Sequence, residues 1–219
     1  MNKITVKAMQ TPYNYEEDYI VVDDVSLPEY FEKCAKEAGD MTIGSFGSLQ
    51  GLYPAWGNEL LHKGEKRFIW KLIEQDEPAI LPVLICEDDL DLSCLVLVAS
   101  VRKDSQVVYW DKLGYVSHAN ENLQEELESG ILYLESYTDE DWDEYGDNIA
   151  TAKLYSKEWE SWISENWEEE LYRRRINYTL LYYQKTHNIV WLKEMNWVFS
   201  KEEYDQCIFF YKQKLLPIF

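Results

Sequence analysis

Residues 80–86 (ILPVLIC) and 92–101 (LSCLVLVASV) are near-continuous apolar runs of strand length, bounded by polar residues. A third run, 107–110 (VVYW), follows KDSQ, which suits a hairpin turn. Runs this short with polar connections predict an antiparallel meander whose two faces are covered. Residues 115–118 (YVSH) are expected to add a fourth strand, and EDDLD (87–91) joins the first two. Nearer the N-terminus, residues 3–9 (KITVKAM) alternate apolar and polar, and 18–23 (DYIVVD) read as a second strand. Ser26 is placed to cap a helix over 27–38, with Gly39 as its stop. The Gly-rich, aromatic stretch 42–57 predicts irregular loops or short strands. Residues 58–76 carry helix-spaced Leu60, Leu61, Phe68, Ile69, Leu72 and Ile73, with Gly64 costing that helix about 1 kcal/mol.

The last third reads as helical, from about residue 156 to 219. In SKEWESWISENWEEELYRRRINYTLLYY, Trp159, Trp162, Ile163, Trp167, Leu171 and Tyr172 fall close to one helical face. Ser200 and Glu203 form a capping-box pattern ahead of YDQCIFFYKQKLL. Neither an internal repeat nor a Pro/Gly/Ser-rich linker divides the chain. The expectation is one α+β domain over residues 1–219, with a central antiparallel β-sheet, flanking helices and a helical C-terminal part.

Charge changes the picture most. The chain has 41 acidic against 21 basic residues, a net charge of −20, with 46% hydrophobic residues, nine Trp and 17 Tyr. A field of that sign repels nucleic acid and anionic membrane and steers basic partners inward. It also serves solubility alone. Tyr and Trp join apolar area to one hydrogen-bonding group, which suits both cores and interfaces. Cys34, Cys86, Cys94 and Cys207 form no CxxC, and neither they nor His62, His118 and His187 show zinc-finger spacing. The opening MNKITVKAMQ lacks a signal-peptide apolar run, and no stretch reaches the roughly 18 apolar residues of a membrane span. A cytoplasmic protein with reduced thiols is expected, with no cofactor.

Two acidic stretches invite chemistry. ESYTDEDWDEYGDN (135–148) holds seven acids and three aromatics in 14 residues, with no base. Asp139, Asp141 and Asp143 match the first three ligand positions of an EF-hand loop, but Glu144 stands where its glycine belongs and Ala150 where its last glutamate belongs. A catalytic carboxylate pair is a further reading, although such pairs are set by the fold rather than by clustering in sequence. A solvated turn and a docking surface remain, the latter with Trp142 and Tyr145 as anchors. In EDDLD, Glu87, Asp88, Asp89 and Asp91 either solvate a strand connection or hold Mg²⁺, with Arg102, Lys103 and Lys112 in the same β region. If the flanking strands pair, Cys86 and Cys94 become neighbours. The chain contains no GxSxG, HExxH or GxGxxG, and GSFGSLQG (44–51) lacks the Lys-Ser/Thr ending of a phosphate loop. Arg173, Arg174 and Arg175 point in different directions on a helix and can pair with Glu168, Glu169 and Glu170.

PAWG (54–57), ILPVLICEDDLDLSCLVLVASV (80–101), VVYWDKLGYV (107–116) and YTDEDWDEYGDN (137–148) resemble stretches of small, acidic bacterial immunity proteins of polymorphic-toxin systems, and the strand-rich centre is loosely similar to the SUKH-type immunity fold. The resemblance covers about half the chain, leaves the C-terminal third unaccounted for and carries no catalytic residues. It implies a stoichiometric inhibitor whose acidic surface fills the basic cleft of a toxin, for example a nuclease domain. The functional expectation is therefore a non-catalytic immunity or antitoxin protein that binds a basic protein, not nucleic acid or membrane. Its contacts would be Asp139, Asp141, Trp142, Asp143 and Tyr145, with Asp88, Asp89 and Asp91 as a second acidic edge. The alternatives are a metal-dependent hydrolase using 87–91, or a self-associating structural protein.

Overall fold

The apolar runs in the middle of the chain pair with one another. The computed structural model describes residues 1–44, 49–60, 63–92, 94–118 and 182–215, together with positions 157, 161 and 165. Strands β4 (Tyr53–Pro54), β5 (Ala79–Ile85), β6 (Val96–Lys103), β7 (Val107–Val116) and β8 (Ile189–Ser200) form an antiparallel sheet in that order. Strands β1 (Ile4–Gln10), β2 (Glu16–Val22) and β3 (Val25–Ser26) form a smaller antiparallel sheet. Helices α1 (Leu27–Ala38), α2 (Met41–Gly44), α3 (Lys63–Glu74) and α4 (Lys201–Lys214) complete an α+β fold.

Local chemistry explains most of these boundaries. Ser26 caps α1 by accepting the Glu29 N–H at 3.5 Å. Gly39 ends the helix at φ 66°, a left-handed conformation that glycine adopts without a Cβ penalty. Ser200 caps α4 by accepting the Glu203 N–H at 3.2 Å. The β6–β7 turn is closed by the Asp104 carboxylate, which accepts the Gln106 and Val107 N–H groups at 2.8 and 2.9 Å. Helix α3 spans Lys63–Glu74; residues 58–60 are not helical, and there the Asn58 carbonyl and side-chain oxygens accept the Lys66 ammonium at 2.8 and 3.2 Å. Pro82 fits a central strand because the β5–β6 register shifts between Pro82 and Leu84.

The core lies on both faces of β5 and β6. Every residue of β5 is buried, as are Val96–Ala99 of β6. Trp56, fully buried, donates its indole N–H to the Pro82 carbonyl at 2.9 Å. It meets Trp110, Tyr204 and Tyr211 edge-on, with centroids 6.1, 5.9 and 5.9 Å away. The two sheets are tied together at the N-terminus, where the Asn2 N–H donates to the Val198 carbonyl at 2.7 Å and the Val198 N–H to Asn2 Oδ1 at 3.1 Å. Tyr211 of α4 adds a second tie by donating to the Asp18 carbonyl of β2.

Two features differ from the sequence expectation. YVSH is not a separate strand: its first two residues finish β7, which runs on through bulges between Trp110 and Lys112 and between Leu113 and Gly114. Within the stretch expected to be helical, Ile189–Ser200 is a strand, half-buried on the outer side of β7. Helix does follow in α4, and the described positions 157, 161 and 165 are helical and exposed; Trp159, Trp162, Ile163, Trp167, Leu171 and Tyr172 lie outside the described residues.

Candidate functional site

The connection between β5 and β6, residues 86–95, is pinned at several points. The Cys86 N–H donates to the Leu95 carbonyl at 3.0 Å, closing the strand ends. The Leu90 N–H donates back to the Cys86 carbonyl at 3.3 Å, making a single helical turn that Leu90 leaves at φ 51°. The Leu92 N–H donates to Glu65 of α3 at 3.2 Å, and the Leu92 carbonyl accepts the Tyr183 hydroxyl. A ring nitrogen of His118 lies 2.9 Å from the Cys94 carbonyl oxygen. Carboxylates carried by such a connection are held in place rather than swept through solvent, which lowers the ordering cost of binding.

On its outer side the connection presents acids. Asp88 and Asp89 are exposed, and Glu87 and Asp91 are half-buried. Tyr13, 56% exposed in the β1–β2 turn, is hydrogen-bonded to Glu87. That bond and the Glu87 charge push the Tyr13 phenol up, with smaller contributions from burial and Asp88. Tyr15 stacks on Tyr53 with centroids 5.4 Å apart, and its hydroxyl donates to the Gly51 carbonyl at 2.9 Å. Glu17 shares a face of β2 with Tyr19, two residues on, and burial first, then the charges of Glu17 and Glu87, push the Tyr19 phenol up. Burial and the charge of Glu59 hold the Glu17 carboxyl above the usual carboxylate range, against the opposing pull of Lys214. The result is a surface of half-buried tyrosines bordered by Glu17, Glu59, Glu87 and Asp88.

Of the residues expected to bind a partner, Asp88, Asp89 and Asp91 are therefore placed together on this pinned connection. Asp139, Asp141, Trp142, Asp143 and Tyr145 lie outside the described residues. Tyr13, Tyr15, Tyr53, Glu17 and Glu59 were not expected. Their signal was available in PYNYEEDY (12–19), which interleaves acids and tyrosines much as ESYTDEDWDEYGDN does.

The basic residues considered as helpers of a metal-dependent hydrolase are engaged elsewhere. Arg102 binds Asp111 through two nitrogens, at 2.8 and 3.2 Å, and lies over the Tyr109 ring. Lys103 donates to the Ile73 and Gln75 carbonyls, and Lys112 pairs with Glu194 at 3.5 Å. Arg102 is seven residues along β6 from Leu95, so it stands about 23 Å from the acidic turn.

The same connection brings thiols together. Cys86 and Cys94 are neighbours, as the strand pairing required, and the ligand atoms of Cys86, Asp89 and Cys94 all lie within 4.8 Å of one another. Burial pushes the Cys94 thiol up to about 12, helped by hydrogen bonds to Cys86 and Asp89 and opposed by the Leu95 backbone. That is opposite to the direction an activated thiol nucleophile requires.

Comparison with protein-family models, with curated proteins and with solved structures gives no match. The fold and the site thus define this chain as an α+β protein with an acidic, tyrosine-lined surface on one flank. Among the described residues no helix is long and apolar enough to cross a membrane.

Proposed function

We propose that this chain is a non-catalytic binding protein that engages a basic protein partner, in the manner of an immunity or antitoxin protein guarding a cell against a toxin domain. The observation that supports it best is the pinned 86–95 connection, which holds acids beside the exposed Tyr13 on a chain of net charge −20. Aromatic side chains at low ordering cost anchor protein interfaces, and fixed charge around them speeds and orients association. Asp139, Asp141, Trp142, Asp143 and Tyr145 repeat that composition and are proposed as further contacts, with Asp88, Asp89 and Asp91 as a second acidic edge. The cytoplasm, where thiols stay reduced, is the compartment this reading assigns, in keeping with four free cysteines.

The test uses the partner captured by the tagged chain from its own cells. Two variants, Tyr13→Ala with Asp88→Asn, and Asp139→Asn with Asp141→Asn and Asp143→Asn, are titrated against it. The expected outcome is weaker binding for each, about tenfold or more for the first because it removes an aromatic anchor. Association is expected to slow with added salt in the parent chain and less so in the charge variants. Unchanged affinity in both variants, with association insensitive to salt, contradicts the reading.

A further inference from the structure

We infer that Cys86, Asp89 and Cys94 form a binding site for one thiophilic divalent cation of the zinc type, with the fourth position left to water or to a neighbouring side chain. The inference does not depend on the partner reading. The Leu90 N–H bond to the Cys86 carbonyl, at 3.3 Å, winds residues 86–90 into one turn. Residues three apart on such a turn share a face, which sets Cys86 and Asp89 side by side. The Cys86 N–H bond to the Leu95 carbonyl, at 3.0 Å, then returns the chain so that Cys94 completes the group. The three ligand atoms lie within 4.8 Å of one another, a spread that a tetrahedral ion with metal–sulfur bonds of about 2.3 Å draws together by small side-chain rotations.

The donor set chooses the metal. Two sulfurs and one carboxylate oxygen are poor ligands for calcium or magnesium, which take oxygen alone, and suit zinc and its neighbours. Asp89 is exposed and Cys94 half-buried, so the group opens to solvent, while Cys86 is buried. Cys94 also lines a cleft of about 420 Å³ together with Thr42, Tyr115 and His118. The ligands leave the acidic edge close to unchanged in charge, because binding a dication displaces protons from thiols. A bound ion would therefore staple the connection without removing the charge it presents.

The experiment uses the full chain, reduced and stripped of metal, with Co²⁺ and Zn²⁺ as probes. One Co²⁺ per chain is expected, with a near-ultraviolet sulfur-to-cobalt charge-transfer band that Zn²⁺ abolishes by displacement. Cys86→Ser and Cys94→Ser should each lose most of the band, Asp89→Asn should weaken binding, and Cys34→Ser should leave it intact. Because a core substitution at Cys86 risks unfolding, the parent chain is also labelled with a thiol-alkylating reagent, and zinc should suppress labelling of Cys94. Absence of the band, its survival in the Cys86→Ser/Cys94→Ser double variant, or equal labelling with and without zinc would overturn the proposal. So would a Cys86–Cys94 disulfide in the isolated protein whose reduced form takes up no metal.

Discussion

Glu17 carries a charge that its surroundings disfavour. Its carboxyl is raised by burial first and by the nearby Glu59 second. A group whose folded pKa lies above its unfolded value contributes stability below the unfolded pKa and loses it as pH rises through the folded one. The charged form of Glu17 is thus a cost to the fold at neutral pH, tolerated because it helps build the acidic flank. Glu17→Gln keeps the oxygen that accepts the Asp18 N–H at 2.8 Å and removes the charge. Thermal unfolding should show the variant more stable than the parent near neutrality, with the difference closing as pH falls below about 4, where both side chains are neutral. A variant less stable at neutral pH would mean that the Lys214 attraction outweighs burial. At this scale, too, the sequence was most informative where one residue determines its own neighbourhood. Ser26, Gly39 and Ser200 read as caps because capping is local, whereas Glu17 has no local mark of its burial.

Among the elements, the meander β5–β6–β7 was legible because its apolar runs and its Asp104 turn are contiguous in sequence. The outer strand β8 was not. Its partner β7 lies across residues 117–188, and its half-buried pattern blurs the alternation that marks a strand. Ile189, Val190, Trp191, Trp197, Val198 and Phe199 are nevertheless strand-favouring types and were the available signal. The reading of YVSH as a separate strand failed for a related reason. Asp111 and Lys112 look like a break, but they face outward to Arg102 and Glu194 while the bulges restore the buried phase at Leu113. Gly114 makes the β7–β8 pairing possible by close approach: a Cβ there would meet the Val190 carbonyl oxygen at 2.4 Å. Gly114→Ala should cost about 1–3 kcal/mol, read as a lower urea midpoint at unchanged slope. A midpoint equal to that of the parent chain would show that β8 can shift freely and does not fix the sheet edge.

For the whole molecule, half of the candidate site was visible in advance. Asp88, Asp89, Asp91 and the Cys86–Cys94 neighbourhood follow from one strand connection, so reading the two flanking strands was enough to find them. Tyr13, Tyr15, Tyr53, Glu17 and Glu59 come from the β1–β2 turn, β2, β4 and the segment before α3, and only the packing of the small sheet against β4 unites them. Net charge tells that acids outnumber bases; the fold tells which of them stand beside an exposed aromatic. The proposed role of this flank is to engage a basic protein. Capture by the tagged chain from its own cells, eluted by a rising salt gradient and read by mass spectrometry, tests it most directly. One stoichiometric, basic partner is expected at moderate salt from the parent chain, and its loss from a Tyr13→Ala, Glu87→Gln, Asp88→Asn variant that remains folded. A partner of acidic or neutral character, or one retained equally by that variant, would contradict it.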